Sequence, residues 1–168
     1  MYDLQPLNSL ALRLQKKDAM KRITAYRKLF NTDKTSDLKQ LKTAYRNLVK
    51  EWHPDKFQDG DALKEEAELK SREIIDGYHF LVSIAPETVA ANLETYTATI
   101  NTEGIADYQH KGLLLEITFT DGSTFEYFGV PRNVFLKFHN AGNQVRFAKR
   151  NIYTSYTYRK SKRELQEA

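Results

Sequence analysis

The hydrophobic pattern changes character near residue 85. Before it, apolar residues recur at helical spacing; after about residue 95, alternation and turn signals take over. Residues 9–30 carry Leu10, Leu14, Ile23, Tyr26, Leu29 and Phe30, enough for one or two helices. A polar connector, NTDKTSD, follows. Ser36 is expected to cap the next helix, with Asp37 in its first turn, where the helix dipole favours a carboxylate. That helix should run over 37–52. It places Leu41, Ala44, Leu48 and Trp52 on one face and Lys39, Lys42, Arg46 and Lys50 on the other. Pro54 pushes His53 out of helical geometry and stops it. PDKFQDGD reads as a loop, with Asp61 as a cap for a helix over 62–83. The expected buried stripe of that helix is Leu63, Ala67, Ile74, Tyr78 and Leu81. Pro86 opens a short connecting helix, PETVAANLE.

The second half is read as TYTATI, a strand; LLLEITFT, a strand; a DG hairpin turn; and STFEYFGV, the returning strand. Pro131 suits the start of a helix, PRNVFLKFHNA, and Gly142 its end. YTSYTYRK reads as a last strand, and SKRELQEA as a polar tail that frays. Strands and helices mixed in a small unit predict an α+β protein of two domains. The domains are 1–85, helical; 86–100, a partly helical connector; and 101–168, a small α+β unit with a β-hairpin and a basic tail.

Composition narrows the function. The 168 residues include no cysteine, which excludes disulfides and thiolate chemistry and suits a reducing compartment. The opening MYDLQPLNSLALRLQKK has no long apolar core, so no signal peptide is expected. GLLLEI and FLVSIA are too short to span a bilayer. A cytoplasmic protein without membrane contact is the expectation. The four histidines, His53, His79, His110 and His139, are scattered, which offers no metal site and no cofactor. There is no G-x-S-x-G nucleophile motif. An enzyme is therefore not expected, although a pocket holding His110 or His139 beside a carboxylate would change that.

The stretch EWHPDKF raises its own question, since His-Pro-Asp alone reads as an ordinary turn. Its context is more specific. TAYRNLVKEWHPDKF followed by EIIDGYHFL resembles the J domain, the DnaJ-like co-chaperone module, over roughly residues 20–83. The resemblance implies an antiparallel helical hairpin, extended here by an extra N-terminal helix. It further implies docking on a DnaK-type 70-kDa heat-shock chaperone and stimulation of its ATP hydrolysis. His53, Pro54 and Asp55 match the essential loop; Lys39, Lys42, Tyr45 and Arg46 match the helix face that meets the chaperone. Asn47, Glu51 and Ser71 depart from the pattern: many members carry Lys or Arg at the first, and a core Phe at the last.

Residues 105–160 resemble the KTSC domain, through the hairpin, Tyr127 to Pro131, Asn151-Ile152 and Tyr156-x-Tyr158. That domain occurs alone in bacteria and at the C-terminus of some lysyl-tRNA synthetases. It is expected to serve as a client or targeting surface for an unknown client protein. Between Tyr127 and Arg163 there are nine Lys or Arg and no Asp or Glu, interleaved with aromatics. The alternative function is accordingly RNA binding on a degenerate J-like scaffold, through Arg146, Lys149, Arg150, Tyr156, Tyr158, Arg159 and Lys160. In a unit this small, however, most large rings are needed inside.

Overall fold

A computed structural model describes residues 19–58, 60 and 62–161. It is an α+β protein of two compact units: a helical unit over Ile23–Glu94, and a sheet-bearing unit that takes the described residues from Thr95 onward together with those before Ile23. The expected extra helix around Leu10 and Leu14, the Asp61 cap and the tail from residue 162 lie outside the described residues.

The helical unit contains most of α1 (Ala19–Phe30), then α2 (Leu38–Trp52), a 3-10 turn (Pro54–Lys56), α3 (Ala62–Ser83) and the first half of α4 (Pro86–Thr102). The cap of α2 is Asp37, one residue later than expected. Its carboxylate accepts from the Gln40 amide at 2.7 Å, and Gln40 Oε1 accepts from the Asp37 amide at 3.0 Å. This reciprocal pair satisfies two amides at once, which a serine followed by Lys39 cannot do. Ser36 instead accepts from the Asp33 amide at 3.0 Å and shapes the preceding turn.

Ile23, Phe30, Leu41, Ala67, Ile74, Phe80 and Leu81 form the buried interior of this unit. Phe80, absent from the predicted stripe, packs on Tyr26 with ring centroids 5.4 Å apart. Leu63, assigned to that stripe, is 51% exposed. It keeps the spacing of Ala67 but stands in the opening turn of α3. Gly77 is buried, and a Cβ there would meet Tyr26 Cδ1 at 2.8 Å and Phe30 Cε2 at 3.0 Å. At an exposed helical site Gly→Ala gains about 1 kcal/mol. Here ring displacement costs about 1–3 kcal/mol. Gly77→Ala should therefore lower stability by about 1 kcal/mol in a urea titration; a gain would show the rings to be loosely held.

TYTATI is helical, not a strand. It completes α4, where Tyr96, Thr99 and Ile100 share a buried face at i, i+3, i+4. Burial of that face overrides the strand preference of Thr, Tyr and Ile.

The second unit is a four-stranded antiparallel sheet in the order β1 (Ile105–Lys111), β2 (Leu114–Phe119), β3 (Thr124–Phe128), β4 (Thr157–Lys160). Strand β1 was not read from the sequence. The expected hairpin is β2–β3. Its Asp121 carboxylate accepts from the Ser123 amide at 2.8 Å, and Gly122 takes φ +83. Between β3 and β4 lie α5 (Arg132–His139) and α6 (Gln144–Asn151). Pro131 caps α5, but Asn140, not Gly142, ends it, its amide donating to Leu136 O at 3.0 Å. Helix α6, also unread, starts from Asn143, whose side chain accepts from the Arg146 amide at 2.9 Å.

Leu115, Ile117, Phe119, Phe125 and Tyr127 alternate onto one sheet face, against Tyr96, Phe138, Ala148 and Tyr153. Inside, the Tyr96 hydroxyl donates to Tyr153 O at 2.8 Å, so the Tyr127 hydroxyl is the donor across the 3.1 Å contact with Tyr96. Burial pushes the phenols of Tyr96, Tyr127 and Tyr153 up, far above the ordinary value of about 10. A phenol held neutral by the fold contributes stability that is fully present below the unfolded value and lost as pH rises past it. The sheet unit should therefore unfold cooperatively in alkali, with these three tyrosines ionising only on unfolding. A phenolate absorbance titration checks this; smooth titration of all tyrosines near pH 10 with native near-ultraviolet circular dichroism would contradict it.

Candidate partner-docking surface

Helix α2 separates its side chains sharply. At 100° per residue, Lys39, Lys42, Arg46 and Lys50 fall within an arc of about 80°. All four are exposed, and none forms an ion pair among the described residues. Leu41, 3% exposed, lies on the opposite side with half-buried Ala44 and Leu48. Tyr45 is half-buried, its ring stacked on Tyr78 of α3 at 4.4 Å and 21°. Tyr45 thus fastens α2 to α3 while bordering the basic face. Asn47 is exposed and lines an open groove with Leu29, Thr32, Gln40 and Thr43. Glu51 is exposed, and Ser71 half-buried.

At the end of this helix, His53 takes extended geometry (φ −64, ψ 123), as a residue before proline must. Pro54 then opens the 3-10 turn, closed by Lys56 N to His53 O at 3.1 Å and Phe57 N to Pro54 O at 3.0 Å. The Asp55 amide donates to His53 Nδ1 at 3.3 Å. That nitrogen is therefore the acceptor, and the ring proton sits on Nε2, pointing away from the turn's backbone. Asp55 Oδ2 lies 3.5 Å from Nδ1, but its side chain is 90% exposed. The turn spends its backbone groups on itself and leaves an imidazole N–H and a carboxylate for something else.

The C-terminal candidates divide. Arg146, Lys149 and Arg150 are exposed on α6, and Lys160 on β4. Tyr156 is half-buried. Tyr158 stacks on Tyr96 with centroids 3.8 Å apart, so its ring belongs to the core. Arg159 pairs with Glu126 across the β3–β4 ladder and lies 5.7 Å over the Phe128 ring. The acid-free run of sequence is thus not acid-free in space. His110 Nε2 bonds Val130 O at 2.8 Å, and His139 Nδ1 meets the Tyr108 hydroxyl at 2.9 Å. Neither has a carboxylate partner among the described residues. No cluster of three metal-ligating side chains occurs there, and no helix is long and apolar enough to cross a membrane.

The chain is 39% identical over 56 residues, a third of its length, to the chaperone protein DnaJ of Thermoplasma volcanium. It spans 14% of that relative's length. Residues 104–156, running from the start of β1 to the approach to β4, match the KTSC domain.

Proposed function

We propose that this protein is a J-domain co-chaperone. It docks on a DnaK-type 70-kDa heat-shock chaperone in the cytoplasm and stimulates that partner's ATP hydrolysis, performing no catalysis itself. The observation that carries the reading is the His53-Pro54-Asp55 turn, its histidine and aspartate exposed, at the end of an unpaired basic helix face. The partial identity to a DnaJ chaperone supports it. Lys39, Lys42 and Arg46 steer an acidic surface toward the turn. Pro54 fixes the turn beforehand, which lowers the ordering cost of docking. Asp55 accepts a bidentate arginine, and Tyr45 keeps α2 seated on α3. The KTSC domain supplies the client or targeting surface.

An agent that accelerates hydrolysis must engage the ATP-bound partner. Binding of the full chain to immobilised chaperone from the same source should therefore appear with ATP and weaken with ADP. It should also fall with salt, and Lys42→Glu/Arg46→Glu should slow association at least tenfold. Equal binding in both nucleotide states, or none, would end this reading.

A further inference from the structure

The two sides of the sheet unit differ in charge: the open sheet face is mixed, with Lys111 and Arg159 beside its acids, and the helices are basic. Glu116 and Glu126 lie on the sheet face turned away from Leu115, Ile117 and Tyr127. Glu103 accepts from the Thr120 hydroxyl, and Asp121 from Ser123 at 2.8 Å, both at the strand ends. Helices α5 and α6 carry cations and no acid. Arg146, Lys149 and Arg150 stand at i, i+3, i+4 on α6, all exposed and opposite the fully buried Ala148. Lys149 Nζ donates to Asn101 O at 3.2 Å; none of the three meets a carboxylate among the described residues. Arg132 and Lys137 are exposed on α5 as well, but at i, i+5 they lie about 140° apart, so only one of them can share a face with the α6 cations.

Lys149 and Arg150 suit the last turn of the helix, but Arg146 is unfavourably placed when bare. Arg146 and Arg150 repel at i, i+4, and Arg146 stands in the first turn, at the positive end of the helix dipole. A partner carrying many anions reverses both effects. The face also lacks what a protein partner would use: Leu136 is the large apolar side chain exposed on α5 and α6, while Phe138 is buried and Phe135 and Phe147 pack onto the core. Protein interfaces draw their affinity from exposed aromatic and apolar anchors. Base-stacking platforms need exposed rings as well. Phosphate binding needs only cations and polar groups.

We propose that the α5–α6 face binds the phosphodiester backbone of nucleic acid without reading its bases. The contact uses nothing from the Pro54–Lys56 turn, so it stands or falls apart from chaperone docking. The test is fluorescence anisotropy of the full chain with labelled U12 and dT12, from 50 to 300 mM KCl. Three to four phosphate contacts predict a log–log salt slope of about −2 to −3. The two oligomers should bind within about threefold of each other, because the contacts ignore base and sugar. Arg146→Gln/Lys149→Gln/Arg150→Gln should weaken binding at least tenfold and flatten the slope by about 2. Lys111→Gln, on the sheet face turned away from the helices, should change binding less than twofold. Salt-insensitive binding, binding that survives the triple change, or an oligoglutamate of twelve residues binding as tightly as U12 would each overturn the proposal.

Discussion

Asp55→Asn should abolish the acceleration of chaperone ATP hydrolysis while leaving thermal unfolding unchanged. The two halves of this prediction rest on one feature. The Asp55 side chain is 90% exposed, and the turn is closed by backbone groups and His53 Nδ1 rather than by the carboxylate. Removing its charge therefore shifts stability by no more than about 0.5 kcal/mol. Asparagine keeps the shape but offers one acceptor oxygen and no charge, so a bidentate arginine loses its match. Truncating one partner of a desolvated charge pair costs about 2–5 kcal/mol, or roughly 30-fold to over 1,000-fold in affinity. Stimulation assays at several chaperone concentrations separate this from a small loss. Retained stimulation would mean that the turn is held near the partner by the basic face alone.

Phe138→Ala should cost the sheet unit about 3–5 kcal/mol. Phe138 is fully buried, meets Tyr108 edge-on at 5.0 Å, and lies 6.3 Å from the Phe147 ring, so it joins β1, α5 and α6 in one contact cluster. Its loss leaves a cavity bounded by large rings that cannot easily collapse. Against a total stability of about 5–15 kcal/mol for an ordinary domain, that is a large share. Urea denaturation followed by near-ultraviolet circular dichroism should show the midpoint falling. A change below about 1 kcal/mol would show that the neighbouring rings refill the space.

Legibility in the sequence followed the length scale of the determining interaction. Helices α2 and α3 were readable because Pro54 stops one locally and both carry several turns of regular apolar spacing. The β2–β3 hairpin was readable from its alternation and the Asp121-Gly122 turn. Residues 95–100 were misread because Tyr, Thr and Ile favour strands locally, while Tyr96 and Ile100 answer to a sheet that forms later in the chain. Helix α6 was hidden because Gly142 looked like a stop for α5, and because its basic residues mask a short apolar face. The site behaved likewise. The His53-Pro54-Asp55 turn is local, so the end of α2 there could be anticipated. The loss of Tyr158 and Arg159 to Tyr96 and Glu126 depends on register and helix placement, which no local pattern carries.

The most direct measurement is single-turnover ATP hydrolysis by the DnaK-type chaperone of the same source, with the wild-type chain and with His53→Gln. The wild type should accelerate hydrolysis and the variant should not, since glutamine cannot reproduce the ring that accepts the Asp55 amide and aims Nε2 outward. No acceleration by the wild type, or equal acceleration by both, would contradict the assignment of this turn as the element that acts on a chaperone.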